Sequence, residues 1–128
     1  MGFNSLLIVT WRNDYVPPVK LPNGERADLG SKLGDYCLNP LHRHGQHKAR
    51  VFQSVLGISL ANAEVLRDAL RKAASTAEDA VHHGNNGFGE VYELRFPLAT
   101  GQGSATILSA WVIRDGEDYP RLTTCFIV

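Results

Sequence analysis

The segment VYELRFPL, residues 91–98, decides the fold because its apolar and charged side chains alternate. Alternation with a period of two predicts a β-strand that buries one face. The apolar face would carry Tyr92, Leu94 and Phe96, and the opposite face would carry Glu93 and Arg95. Short turns separate this strand from a nearly continuous apolar run at 105–113 and from a final strand at 121–128. Three strands joined by short turns predict an antiparallel meander.

Two helical patterns precede the meander. Apolar residues at positions 51, 52, 55 and 56 predict a helix over residues 47–56, and Gly57 is its expected stop. Ser59 is the expected cap of a second helix over residues 60–76, which carries an apolar stripe along one side. Helices followed by a meander predict an α+β fold, with the helices packed on one face of the sheet.

Glycine, asparagine and proline shape the remaining segments. The turn signal Asn23-Gly24 predicts a hairpin across residues 19–27. Ser31 is a candidate cap for a short third helix, which Pro40 would stop. The glycine- and asparagine-rich residues 79–89 predict a long loop. The full expectation is an N-terminal hairpin and two to three helices packed on a C-terminal three- to four-stranded antiparallel sheet.

The composition limits the classes of function. The 128 residues suit one domain, and 13 basic side chains balance 13 acidic ones, so the formal net charge is zero. Overall charge therefore excludes a protein that attracts polyanions as a whole, and any nucleic-acid site must be a local patch. Two cysteines, Cys37 and Cys125, do not make a disulfide framework and are expected to be small buried hydrophobes. A cytoplasmic location is the default expectation.

The local patch is the segment LHRHGQHKAR, residues 41–50. No acidic residue occurs between Asp35 and Glu64. His47 and Lys48 would lie in the first turn of their helix, where cations oppose the helix dipole. A bound anion would remove that conflict, because helix N-termini attract phosphate. The alternative is a solvated basic turn whose long side chains cover the helix flank.

These residue types fit RNA cleavage without a metal, which needs a general base, a general acid and cations that stabilise the phosphorane. The predicted catalytic residues are His47, Lys48, Arg50, Arg121 and Thr123. The predicted anion- or RNA-binding residues are His42, Arg43, His44, Arg114 and Trp111. Trp111 fits the core better than a base-stacking platform, and Arg114 is equally suited to pairing with Glu117 or Asp118. No zinc-binding pattern accompanies the histidines, so neither a metal nor another cofactor is expected.

Several motifs follow one another in an order that is typical of a known family. They are LPNGERA at 21–27, DYCLNP at 35–40, HKARVF at 47–52, AWVIR at 110–114, GED at 116–118 and PRLT at 120–123. Together they resemble a family of uncharacterised bacterial domains, in a match that covers about residues 20–128 and leaves residues 1–19 as an N-terminal extension. Such domains look like the C-terminal ends of large secreted toxins. Their fold is similar to that of the barnase, colicin and RelE group of ribonucleases.

The resemblance implies a small ribonuclease-like toxin of a toxin–antitoxin or polymorphic-toxin system. A toxin of this kind would need a cognate antitoxin or immunity protein as its partner. The alternative is a non-enzymatic binding or immunity-like module, which the neutral charge and the lack of a second clear catalytic residue favour. The final strand, residues 123–128, is a candidate for edge-strand pairing with a second copy. No membrane partner is expected.

Overall fold

The computed structural model describes residues 17–128, so residues 1–16 of the predicted extension lie outside the described chain. Short helical turns come first, a 3₁₀ turn at Gly24–Arg26 and a π-helical turn at Leu33–Cys37, called the π-turn below. Helix α1 spans Gln46–Val51 and continues as a π-helical turn, Phe52–Leu56. A 3₁₀ turn at Leu60–Asn62 leads into helix α2, Glu64–Thr76.

Four antiparallel strands follow in the order of the chain: β1 Val81–Asn85, β2 Gly89–Ala99, β3 Ser104–Arg114 and β4 Arg121–Ile127. The predicted meander is confirmed as β2, β3 and β4. The long loop predicted at 79–89 is wrong, because β1 occupies the middle of that segment and pairs with β2. The His82 ring stacks on Tyr92 across the pair, at 4.7 Å between ring centroids, and its Nε2 lies 2.6 Å from a carboxylate oxygen of Glu90. These cross-strand contacts hold a glycine-rich segment in the sheet.

One face of the sheet forms the core with the helices. Cross-strand partners Leu94, Ser109 and Cys125 are all buried there, as are Trp111 and Leu122. The alternation read from residues 91–98 is confirmed, because Leu94 and Phe96 are buried and Arg95 is exposed. From α2, the predicted stripe of Leu66, Leu70 and Ala73 packs into the same core. The α+β fold is therefore confirmed.

Both predicted helix boundaries have identifiable causes. Gly57 ends the first helix in the left-handed region, at φ 69°, and Ile58 N–H donates to the Phe52 carbonyl in a typical C-terminal closure. Ser59 caps the second helical segment through a capping box, in which its hydroxyl accepts from Ala61 N–H while the Asn62 side chain accepts from Ser59 N–H.

The predicted N-terminal hairpin is wrong. Asn23 does adopt a left-handed conformation, at φ 51°, but it opens the 3₁₀ turn rather than a two-stranded hairpin. The two flanks bridge to distant strands instead, because Val19 pairs with Ala80 and Asp28 pairs with Arg121.

The edge of β4 is covered rather than exposed along much of its length. Leu122 N–H donates to the Asp28 carbonyl at 2.9 Å, and Cys125 N–H donates to the Cys37 thiol at 3.4 Å. Asp28 and the π-turn together therefore take the place of a neighbouring strand, which removes part of the edge predicted to pair with a second copy. Ser31 contributes to the π-turn through its carbonyl, which accepts from Asp35 N–H, and makes no side-chain cap. Within residues 17–128, no helix is long and apolar enough to cross a membrane.

Candidate functional site beside strand β4

A groove lies between the π-turn, the loop before α1 and strand β4. It has a volume of about 520 Å³ and is called the β4 groove below. Its walls are Ser31, Lys32, Asp35, Tyr36, His42, His44, Thr123 and Thr124. These residues come from three separate parts of the sequence, which meet because the π-turn covers the edge of β4. The groove therefore contains three of the predicted site residues, His42, His44 and Thr123.

His42 is held in one tautomer by the loop that follows it. Its Nδ1 accepts hydrogen bonds from His44 N–H at 3.0 Å and from Gly45 N–H at 2.9 Å. A ring nitrogen that accepts two N–H groups carries no proton, so the neutral ring bears its proton on Nε2. The His42 carbonyl also accepts from Gln46 N–H at 3.0 Å. The three amides that lead into α1 are thus occupied by His42 and are not available to a bound phosphate.

Tyr36 and Lys48 form a second fixed pair at the groove. Lys48 Nζ donates to the Tyr36 hydroxyl at 3.0 Å and lies 5.0 Å from the centroid of the Tyr36 ring. It also lies 5.5 Å from the centroid of the Phe126 ring. Because the Tyr36 oxygen accepts from an ammonium group, its own proton is left to donate elsewhere. Sequence reasoning missed Tyr36, although the residue stands inside the DYCLNP motif.

The imidazoles are grouped around Tyr36. The His42 ring meets the Tyr36 ring edge-on at 4.8 Å, and the His42 and His44 rings are 6.1 Å apart, all between centroids. His44 is exposed and His42 is half-buried. The groove thus combines one imidazole of fixed tautomer, one solvent-facing imidazole and a phenol that contacts a cation.

The other two predicted residues of α1, His47 and Arg50, do not line this groove. His47 lines a separate hollow of about 240 Å³, together with Lys48, Val51, Phe126 and Ile127. Arg50 lines an apolar pocket of about 360 Å³ on a different face of the helix. Its guanidinium lies 3.5 Å from His47 Nδ1. Arg43 is exposed in the loop, and its carbonyl accepts from the Gln46 side chain. The basic segment is therefore divided among several surfaces.

The sheet arginines Arg114 and Arg121 line a small hollow of about 180 Å³ that adjoins the groove, since Ser31 and Lys32 form part of both. The Arg121 guanidinium already pairs with two carboxylates. It donates twice to Glu117, at 2.9 Å each, and once to Asp28 at 3.2 Å. The bond to Glu117 raises the pKa of Arg121, and the same bond lowers the pKa of Glu117. Little of its charge remains for a phosphate.

Residues 20–128 match the model of a family described as a domain of unknown function, DUF6883. The chain belongs to the DUF6883 family. No curated protein matches the chain. The family description carries no activity, so the function of this DUF6883 domain has to be argued from its site.

Two predicted residues of the DUF6883 domain have roles that the fold assigns. Trp111 is fully buried, and its indole N–H donates to the Ser109 hydroxyl at 2.9 Å. It is a core residue, so its prediction as an RNA-binding residue is wrong. Thr123 is exposed at a bulge of β4 and lines the groove, where its hydroxyl donates to the Ala110 carbonyl at 3.0 Å. The bulge turns this side chain out of the core.

Proposed function

We propose that this domain binds single-stranded RNA in the β4 groove and cleaves it without a metal, as the toxin of a bacterial toxin–antitoxin or polymorphic-toxin system. The observation that carries the proposal is the group of His42, His44 and Tyr36 in one groove, with the Lys48 ammonium hydrogen-bonded to the Tyr36 hydroxyl. Phosphate recognition needs cations and oriented donors, and cleavage needs two groups that transfer protons near neutral pH. The groove combines both kinds of group.

The proposed roles differ from those that the sequence suggested for α1. His42, whose neutral ring carries its proton on Nε2, donates a hydrogen bond from that N–H to a phosphate oxygen and stabilises the charged phosphorane. His44, which faces solvent, takes the proton of the attacking 2′-hydroxyl. Tyr36 is the general acid that gives its hydroxyl proton to the leaving oxygen, and the Lys48 ammonium, which donates to the Tyr36 oxygen, stabilises the phenolate that forms. Lys32 and Arg114 hold the flanking phosphates.

Binding without catalysis is the second candidate function. It is favoured by the carboxylates near the groove, since Asp35 stands in its wall and Glu117 and Asp28 occupy Arg121. In this case the groove would take a partner protein or RNA without changing it. A cytoplasmic antitoxin or immunity protein that covers the groove with acidic side chains fits either function.

The test incubates the purified domain with total tRNA in excess EDTA and follows cleavage on a denaturing gel. His42→Asn is the informative variant, because the shorter Asn side chain can accept the same two N–H bonds but places no donor where the Nε2–H group of His42 lies. His42→Asn and His44→Gln are each expected to lower the cleavage rate at least about 100-fold while the domain stays folded. His83→Gln, in β1, is the matched control and should cleave like the wild type.

Binding is measured separately by fluorescence anisotropy with a short labelled RNA. If the wild type binds the RNA but leaves it intact, the domain is a binding module and the catalytic proposal fails. If it neither binds nor cleaves, both functions fail at this groove. Loss of cleavage in His47→Ala, with His42→Asn unaffected, would move the acid–base role back to α1.

A further inference from the structure

The only two cysteines of the chain meet beneath the β4 groove, although 88 positions separate them. Both thiols are free and fully buried. Cys125 N–H donates to Cys37 Sγ at 3.4 Å, and the Cys125 thiol is separated from that nitrogen by only the Cα and Cβ atoms. The contact joins the π-turn to the strand whose edge it covers. Both cysteines therefore lie at the joint that forms the groove, with the Cys37 sulfur against the backbone of Cys125.

The two thiols are not chemically equivalent. The pKa of Cys37 is lowered to about 7, chiefly by a hydrogen bond from the Cys125 thiol, although burial opposes the change. The positive charge of Lys48 lowers it further. The pKa of Cys125 is raised by the same thiol–thiol bond and by its burial. Cys37 is thus the thiol that ionises near neutral pH, whereas Cys125 keeps its proton.

A polar side chain without a partner lies at the same joint. Thr124 Oγ1 is buried and makes no hydrogen bond within residues 17–128. Tyr36 and Thr124, the chain neighbours of the two cysteines, both line the groove. A small polar oxidant that enters the groove therefore contacts the chain neighbours of both cysteines.

We propose that Cys37 and Cys125 are a modification site that a peroxide converts into a disulfide. The Cys37 thiolate attacks hydrogen peroxide, the O–O bond breaks, and the sulfur becomes a sulfenic acid while the second oxygen leaves as water after taking up a proton. The Cys125 sulfur then attacks the sulfenic sulfur, the S–O bond breaks, and the oxygen leaves as a second water. Two thiols are oxidised and one peroxide is reduced to two waters.

The inference does not depend on RNA binding. Its consequence is that the π-turn becomes covalently fixed to β4, which locks the floor of the groove in its closed arrangement. A disulfide that closes so long a loop restricts the unfolded chain, so the oxidised protein should melt at a higher temperature than the reduced one.

The experiment treats the reduced, folded protein with a small excess of hydrogen peroxide and digests it with trypsin without reduction. Cleavage after Lys32, Arg43 and Arg121 releases the two cysteines in peptides 33–43 and 122–128. The expected product is these two peptides joined, with a mass lower than their sum by two hydrogen atoms. The rate of disulfide formation should rise about fivefold from pH 6 to pH 7 and less than twofold from pH 7 to pH 8, because the attacking Cys37 thiol has its pKa near 7.

Cys37→Ala and Cys125→Ala are matched variants that keep one thiol each. Cys125→Ala should accumulate oxygen on Cys37, and Cys37→Ala should stay unmodified over the same time. If the variants do not fold, the pH dependence of disulfide formation in the wild type is the deciding measurement. A thiol with its ordinary pKa would react about tenfold faster at pH 7 than at pH 6, and about tenfold faster again at pH 8. The proposal is overturned if both wild-type thiols stay free, or if Cys37 gains oxygen without a joined peptide.

Discussion

Two neighbouring threonines in β4 differ in whether their hydroxyl groups are hydrogen-bonded, so their substitution by valine should change stability in opposite directions. Thr124 has a buried hydroxyl without a partner, whereas the Thr123 hydroxyl donates to the Ala110 carbonyl. Replacing a buried, unsatisfied hydroxyl by a methyl group of similar shape removes a desolvation cost. Thr124→Val should therefore raise the free energy of unfolding by about 1 kcal/mol.

The comparison is Thr123→Val, which removes a satisfied but exposed hydrogen bond and should lower stability by about 0.5 kcal/mol. Urea denaturation of both variants measures the two changes on one scale. A loss of stability in Thr124→Val would mean that its hydroxyl makes a bond that stabilises the joint between β4 and the π-turn.

Glu117 makes the stability of the domain sensitive to acid. Its pKa is lowered from the ordinary value of 4.5, chiefly by the hydrogen bond from Arg121. A carboxyl group with a lower pKa in the folded state stabilises the fold above its unfolded pKa, and this contribution disappears as the pH falls through the folded value. The melting temperature should fall below about pH 4.5, as Glu117 takes up its proton.

Glu117→Gln isolates this contribution. The melting temperature of the variant should lie below that of the wild type at pH 7, and the difference should shrink as the pH falls below about 4. Glu78→Gln, at an exposed position, is the matched control. A difference between wild type and Glu117→Gln that stays constant across the acid range would contradict the coupling to Arg121.

At the scale of elements, Gly45 sets how closely the start of α1 approaches the π-turn. A Cβ atom at this position would stand 2.0 Å from the Tyr36 carbonyl oxygen. That contact is with backbone, so it cannot be relieved by rotating a side chain. Gly45→Ala should lower the free energy of unfolding by about 1–3 kcal/mol, because the helix and the turn must separate.

Gly101→Ala is the matched control, since a Cβ atom there meets nothing within 4 Å. Its stability should stay within about 0.5 kcal/mol of the wild type. Equal stability of Gly45→Ala and Gly101→Ala, measured by denaturant unfolding, would show that α1 does not need this close approach.

The elements that sequence reasoning placed well are those with a strong local signal. β2, β3 and β4 follow from alternation and turns. The π-helical turn that continues α1 ends at Gly57 and α2 ends at Thr76, as the sequence predicted. β1 was missed because Val81–Asn85 is poor in strand-forming residues, and its pairing depends on Tyr92 and Glu90 of the next strand. The hairpin at 19–27 was wrongly predicted because the Asn-Gly turn signal is local, whereas its flanks pair with Ala80 and Arg121.

At the scale of the whole molecule, the zero net charge makes the salt dependence of RNA binding a test of the local site. If the groove and its adjoining hollow contact about three phosphates, log K should fall with log salt with a slope of about −2. Lys32→Gln and Arg114→Gln should each reduce that slope by about 0.7. The measurement is a titration of labelled single-stranded RNA at several salt concentrations.

Lys72→Gln supplies the matched control, because Lys72 is exposed on α2. It removes the same charge from the molecule and should leave the slope unchanged. An equal reduction in all three variants would mean that RNA responds to the total charge rather than to the groove, and the proposed site would then be wrong.

The sequence by itself determined the fold class, the order of the main helices and strands, and the presence of a basic segment at residues 41–50. These properties depend on periodicity, capping and composition, which act between near neighbours in the chain. Only the tertiary structure decided which members of that segment share a surface. His42 and His44 face Tyr36 and Thr123, while His47 and Arg50 face other hollows. Arg121 is neutralised in part by Asp28, from which 93 positions separate it. Contacts between such distant residues depend on how the π-turn covers β4, and no local pattern specifies them.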